Sequence, residues 1–400
     1  MMTSTVRAAD THMRDSADVI VVSRRHFTLD PDRAFSGGAA HVTASTRYLL
    51  SKGLRVTVIG RDPDTSIPPD VTNPPVIVSV PTQCGGPRRA AGTRGVFPRE
   101  TSRDARDFGA SVGELLSSHV GRNIITHHWA SAGGVVPRHG RCWIHVPHLL
   151  ATEKARACGV PLPEDVGRIE LRAVRGANHI VCLSRSEAAS VERSYGRPDA
   201  VLVPNAVDSR LFGAALPRRD GRQPLHVVVI GRPVAQKGFD LTLAVIETAL
   251  QRLAPIRFRL LLHSAEPTAS REEWLKDVRR LSRDYRVSVE YDVRRSGVCE
   301  ALEWSDVLLH PAHTETQGLV ILEALAAGRP VVCRPLPVLR EQFGALRHLR
   351  YVPSDEADAF LQELLRVHQE GVIETDTLGA RSSVAKFTSA SFQRYVDLLF

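Results

Sequence analysis

The stretch Leu308–Val332, LLHPAHTETQGLVILEALAAGRPVV, contains one strand, one helix and the beginning of a second strand. The apolar run DVLLHP ends in a polar loop carrying Glu315, a helix opens near Gly318, and Gly328 stops it before PVV starts again as strand. Strand, loop, helix and strand in that order make a βαβ step of a parallel sheet. Peptide N–H groups from Gln317 through Gly318 and Leu319 to Val320 fall at the helix start. There they lack intrahelical acceptors and carry positive partial charge, a setting suited to a diphosphate. Glu315 just ahead of the start and Glu323 within the helix are placed to accept hydrogen bonds from sugar hydroxyls.

The same alternation runs along the whole chain. Strand-length apolar runs, ADVIVVS, RVTVIG, PPVIVSV, NIITHH, CWIHV, NHIVCLS and AVLVP, occupy the first half, and HVVVIG, FRLLLH, VSVEY, DVLLHP, RPVVC and LRYVP the second. Between the two sets, VPNAVDSRLFGAALPRRDGRQP lacks helical periodicity and is rich in turn formers. The expected fold is therefore α/β, two Rossmann-like doubly wound parallel-sheet domains facing across a cleft. A leader covers 1–17, an N-terminal domain 18–209 and a C-terminal domain 210–380, with a closing helix over 381–400. In such sheets ligands bind beyond the carboxyl ends of the strands. One further stretch there, VVVIGRPVAQKGFDLTLAVI, puts Arg232 and Lys237 beside a helix start as a second anion clamp.

Composition is that of a globular protein, with 43% hydrophobic and 24% charged residues. No apolar run approaches the roughly 20 residues that span a bilayer. The leader has no apolar core of signal-peptide length, so a soluble cytoplasmic protein is expected, with no stable membrane insertion. The six cysteines are scattered, which gives no zinc or disulfide pattern. A net charge of +8 is spread among arginines not interleaved with aromatics, which speaks against nucleic acid, and a general affinity for anionic substrates or a membrane surface explains it as well. The Asp30–Asp32 and Asp62–Asp64 pairs sit in turn-like Asp-Pro-Asp stretches, so no metal site is expected. No Gly-x-Gly-x-x-Gly follows the first strand of either half, which disfavours a dinucleotide-dependent oxidoreductase.

On these residues the chain resembles family 4 of the retaining glycosyltransferases, of GT-B fold. The matching motifs are Gly231-Arg232 followed by Lys237-Gly238, the pair Glu315 and Glu323, and Pro204-Asn205-Ala206-Val207-Asp208, where the family usually has glycine for Ala206. Phe35–Gly60, FSGGAAHVTASTRYLLSKGLRVTVIG, resembles the family's Gly-Gly loop and first helix, with Gly37 and Gly38 bringing backbone N–H groups near the substrates. ITHHWASAGGVV and IHVPHLLATEKARACG resemble the two following loops, the second closest to the sucrose-phosphate-synthase-like branch. RIELRAV resembles that branch's Arg-Ile-Glu segment. Three positions depart from the family: Gln317 replaces a phenylalanine, Asp292 a glycine, and Pro337 and Val338 a Gly-Gly.

The resemblance implies a metal-independent retaining transfer without a cofactor, in which a nucleotide-diphosphate sugar is co-substrate and the acceptor hydroxyl attacks from the side the diphosphate leaves. Catalytic roles then fall to His148, Arg232, Lys237 and Glu315. Donor binding falls to Gly38, Arg232, Lys237, Val293, Glu315, Gln317, Gly318, Leu319, Val320 and Glu323, and acceptor binding to Gly37, His127, His128, Arg168 and Glu170. A UDP-sugar, UDP-glucose or UDP-N-acetylglucosamine, is favoured as donor, and a cyclitol, sugar or sugar phosphate as acceptor. GDP-mannose-dependent transfer and sugar-nucleotide 2-epimerisation are the alternatives, and the oligomeric state is open.

Overall fold

The computed structural model describes residues 17–24, 27–34, 36–61, 63–80, 97, 99–117, 122–214, 223–263, 269–371 and 374–400. The expected leader (apart from Ala17), Asp62, residues 81–96 with Cys84, and residues 215–222 of the connecting segment lie outside them.

Strands β1 (Val19–Ser23), β2 (Val56–Gly60), β3 (Val76–Ser79), β4 (Asn123–His127), β5 (Trp143–Val146), β6 (His179–Cys182) and β7 (Val201–Leu202) form one parallel sheet, ordered β3-β2-β1-β4-β5-β6-β7. Strands β8 (Leu225–Gly231), β9 (Ile256–Leu262), β10 (Val287–Tyr291), β11 (Val307–His310), β12 (Val331–Cys333) and β13 (Leu349–Tyr351) form a second, ordered β10-β9-β8-β11-β12-β13. All pairings are parallel; Val19, for example, stands between Val56 and Asn123. Every residue of β1 and of β11 is buried. Helices on both faces produce that burial, and it is why the strands read as continuous apolar runs rather than alternating ones.

In each sheet the order reverses beside its first strand, between β1 and β4 and between β8 and β11. Those are the switch points where loops diverge and leave room for a ligand. The carboxyl-end loops of the two sheets meet there. A Cβ added to Gly37, after β1, would lie 3.7 Å from Leu319 Cβ, after β11. Two carboxylates cross the seam reciprocally. Asp32 accepts from Ser296 N at 2.7 Å, at the start of the Arg295–Trp304 helix. Glu341 accepts from Arg185 N at 3.1 Å and Ser186 N at 2.5 Å, at the start of the Arg185–Tyr195 helix. Both helices gain an acceptor for first-turn N–H groups.

The chain end returns to the first sheet. Phe387 packs in the second half's core, whereas Phe392, Tyr395 and Leu399 are buried in the core under β1. The closing helix expected over 381–400 is thus split. Ser389–Phe392 is a 3-10 turn and the helix proper is Gln393–Leu399. The Thr-Ser-Ala-Ser run, whose hydroxyls compete for backbone groups, breaks the helix there. No helix among the described residues is long and apolar enough to cross a membrane.

Candidate active site

The carboxyl end of β8 runs into Gly231, Arg232 and a 3-10 turn, Ala235–Lys237. Gly238 follows with φ of 63°, and a Cβ there would stand 2.1 Å from the carbonyl oxygen of Pro311. Only glycine lets this turn press against the exit of β11. A hydrogen bond from His313 N to Gln236 O, 2.9 Å, ties the same two loops. The consequence is chemical: Lys237 Nζ lies 2.5 Å from Glu315 Oε1, and His310 Nε2 lies 2.6 Å from the same oxygen. Burial pushes the Glu315 carboxyl up, but the Lys237 charge and the His310 hydrogen bond prevail and hold it at about 2, against an ordinary 4.5. A cavity beside this cluster is lined by Gly231, Arg232, Lys237, Thr242, His310 and Pro311.

Gly318, with φ of 79°, precedes the Leu319–Ala326 helix and offers no side chain to cap it. Leu319 and Val320, in its first turn, are half-buried against the core of the second sheet. Glu323, one turn in, is buried and ion-paired with Arg295. Burial raises its carboxyl pKa, and the Arg295 charge only partly opposes this. Asp292 has φ of 49° and its Oδ1 lies 2.8 Å from His263 Nδ1. The left-handed backbone is what makes glycine the family's usual residue there; aspartate tolerates it better than most. Val293 packs against the following helix, 3.3 Å from where a Cβ on Gly297 would lie. Gln317 is fully buried, and its Oε1 accepts from both Asn205 N, 2.7 Å, and Asn205 Nδ2, 2.8 Å.

From the first sheet, Gly37 and Gly38 open the Gly37–Ser51 helix, with Ser36 Oγ accepting from Ala39 N at 3.2 Å. His127 ends β4 and His148 follows β5; His127 Nδ1 and His148 Nε2 are 2.9 Å apart and their rings stack. Burial holds the His127 pKa well below 6.5, so its imidazole is neutral at physiological pH. His148 has φ of 59° and its ring meets that of His41 edge-on at 5.1 Å. His128, with φ of 72°, uses Nδ1 to accept from Ala130 N at 3.4 Å, closing the next turn.

Two expected acceptor residues, Arg168 and Glu170, share one helix and differ in burial. The Arg168 side chain is 72% exposed and 3.9 Å from Glu164 on its own helix, Glu164–Gly176. Glu170 is buried, accepting from Ala151 N at 2.5 Å, from Thr152 N at 3.1 Å and from the Thr152 and Tyr195 hydroxyls. It supplies the cap that Leu150 cannot give the Ala151–Ala157 helix, and so fixes the loop that carries His148. Asp30 accepts from Asp32 N, Asp32 holds Ser296, and Asp64 lies 2.6 Å from Arg33.

Residues 35–211 match the model described as glycosyltransferase family 4, and residues 224–370 that of glycosyl transferases group 1. A D-inositol 3-phosphate glycosyltransferase of Saccharomonospora viridis is 30% identical over 69% of this chain and 68% of its own length. The chain belongs to the family 4 glycosyltransferases. The enzyme of the same name from Xylanimonas cellulosilytica is 32% identical over 54% of this chain. The chain spans about half the length of several of the curated relatives it matches, 56% for this one. Sucrose-phosphate synthase from Thermosynechococcus elongatus superposes with a TM-score of 0.72 at 19% identity, covering 95% of this chain and 98% of that one, which shows the shared GT-B fold.

In this family 4 glycosyltransferase the structure adds residues to the site that the sequence left unmarked. Arg295 neutralises Glu323, His310 shares Glu315 with Lys237, and His41 packs on His148. His310 ends the strand of the decisive stretch, five residues before Glu315, so its place was open to reading. Arg295 was hidden as the second of two successive arginines, Arg294 and Arg295, after Val293.

Proposed function

We propose that the chain transfers a hexose or N-acetylhexosamine from a nucleotide-diphosphate sugar, a UDP-sugar first, to a hydroxyl of a phosphorylated cyclitol or similar small polar acceptor, with retention and without a metal. The Lys237–Glu315–His310 cluster beside the Leu319–Ala326 helix start carries this reading. The inositol phosphate in the names of two relatives supports the acceptor class.

In this reading the leaving diphosphate is met by Arg232, Lys237 and the N–H groups after Gly318. Each charge-assisted bond contributes roughly 1.5–3 kcal/mol. Those donors are fixed before the reaction, so they stabilise charge as it develops on the leaving oxygen. Glu315, kept ionised by Lys237, accepts from hydroxyls of the transferred sugar and orients its anomeric carbon. Glu323, held by Arg295, does the same for the ribose. Both carboxylates are engaged by cations, which suits hydroxyl binding, and the family resemblance supports front-face departure and attack as the route. Gly37 and His148 close the site from the acceptor side.

A thermal-shift panel of nucleoside diphosphates and their sugars in excess EDTA tests this. A UDP-sugar at 100 times its Kd adds about 2.7 kcal/mol, or about 5–10 °C in Tm. A shift from GDP-mannose alone moves the donor assignment, and no shift without magnesium or manganese overturns metal independence.

A further inference from the structure

We propose that the side-chain amide of Gln317 is a substrate-binding group, whose Nε2 donates a hydrogen bond to an oxygen of the bound nucleotide sugar. The inference rests on the donor site proposed above, and it concerns a position where the family usually has phenylalanine.

The orientation of the amide follows from one atom that cannot flip. The backbone N–H of Asn205 can only donate, so the Gln317 atom 2.7 Å from it is the oxygen. Asn205 Nδ2, 2.8 Å from that same oxygen, is then a donor too, which turns Asn205 Oδ1 toward His41 Nδ1 at 2.9 Å. His41 Nδ1 therefore carries a proton. Burial depresses the His41 pKa to about 4, so the ring is neutral and its Nε2 accepts from the Tyr395 hydroxyl at 2.7 Å. Tyr395, His41, Asn205 and Gln317 thus form a one-way chain in which every donor points toward Gln317 Oε1. Such chains polarise their members, and the far side of the final amide becomes a stronger donor.

That far side is Nε2. Gln317 is fully buried, and its Nε2 has no hydrogen-bond partner among the described residues. Buried donors in native proteins are rarely left so. Oε1 is fixed by Asn205, so the amide cannot turn to relieve it. The position explains what the donor is for. Gln317 stands between Glu315, tied to Lys237, and Gly318, which opens the helix. Asn205 belongs to the segment joining the sheets, and His41 abuts His148. Phenylalanine could neither hold Asn205 nor donate. The partner is an oxygen lone pair, on the diphosphate or on a sugar hydroxyl.

Gln317→Glu separates this role from a structural one. The carboxylate still accepts from Asn205 N and Nδ2, so a purely structural Gln317 predicts a variant that binds like the wild type once folded, although the buried charge lowers its Tm in either case. A substrate-binding Nε2 predicts the opposite for binding: a donor is replaced by a negative oxygen facing an oxygen of the ligand. Calorimetry with UDP and with UDP-glucose or UDP-N-acetylglucosamine should show Kd raised about tenfold or more. Loss with both UDP and the sugar places the contact on phosphate; loss with the sugar alone places it on a hydroxyl. Gln317→Met, which fills the space without a donor, is measured alongside and should also weaken binding should the Glu variant fold poorly. Wild-type affinity in either folded variant overturns the inference. Lys237→Ala reports on the donor site itself: wild-type binding that this variant leaves intact overturns that reading whatever Gln317 does, and no binding by the wild-type chain overturns both.

Discussion

Replacing Lys237 by alanine is expected to lower kcat/KM for the nucleotide sugar by roughly 100- to 1,000-fold, the loss typical of one preorganised donor aimed at developing charge. Two effects combine. The leaving diphosphate loses a cation, and Glu315, buried beside Lys237 and His310, loses the charge that holds its carboxyl at about 2. Glu315 contributes stability that is present above its ordinary value of 4.5 and is lost as pH falls through about 2. Without Lys237 that loss begins at higher pH. The two glutamates then separate by what they touch. Glu315→Gln should chiefly lower kcat, and Glu323→Gln should chiefly raise the donor KM, each by about 10- to 100-fold. Calorimetric binding of the free nucleoside diphosphate decides between them. Equal weakening by both substitutions would show the roles to be wrongly divided.

Deleting residues 387–400 is expected to unfold the first half of the molecule. Phe392, Tyr395 and Leu399 fill the core beneath β1, and at about 1.5–3 kcal/mol each their burial contributes roughly 5–9 kcal/mol. Whole domains are stable by about 5–15 kcal/mol, so the loss is comparable to everything available. Phe392→Ala is the milder form, costing about 3–5 kcal/mol. The same deletion removes the Tyr395 hydroxyl from His41 and the Asn123 hydrogen bond to Leu399 O. Circular dichroism melts read both. A truncated chain that melts with the full-length Tm and turns over normally would mean the tail is only an appendage.

The strands were legible because helices bury both faces of each sheet; each of the thirteen apolar runs holds one. The segments proposed to meet the diphosphate were legible for a related reason. Glycine at a left-handed position, as at Gly238 and Gly318, and cations beside a helix start are local patterns. What the sequence hid is long-range. Gln317 and Asn205, or Asp32 and Ser296, meet only after two sheets have folded and closed, and no spacing announces them. Arg168 and Glu170 show another limit. A charged residue on an amphipathic helix can face the ligand, the solvent or a neighbouring helix start. Here Arg168 takes the second option and Glu170 the third. Ile169 and Ala173, both buried, mark the inward face, and Glu170 stands beside them.

Glycosyl transfer from a nucleotide-diphosphate sugar is tested by following both products of one reaction. The chain is incubated in excess EDTA with a UDP-sugar, with and without inositol phosphate; nucleoside diphosphate release is measured and the anomeric configuration of the glycoside is read by proton NMR. The expected result is release that depends on the acceptor and a product with the donor's own anomeric configuration. Acceptor-independent conversion, an inverted product, or no release from any nucleotide sugar would contradict it.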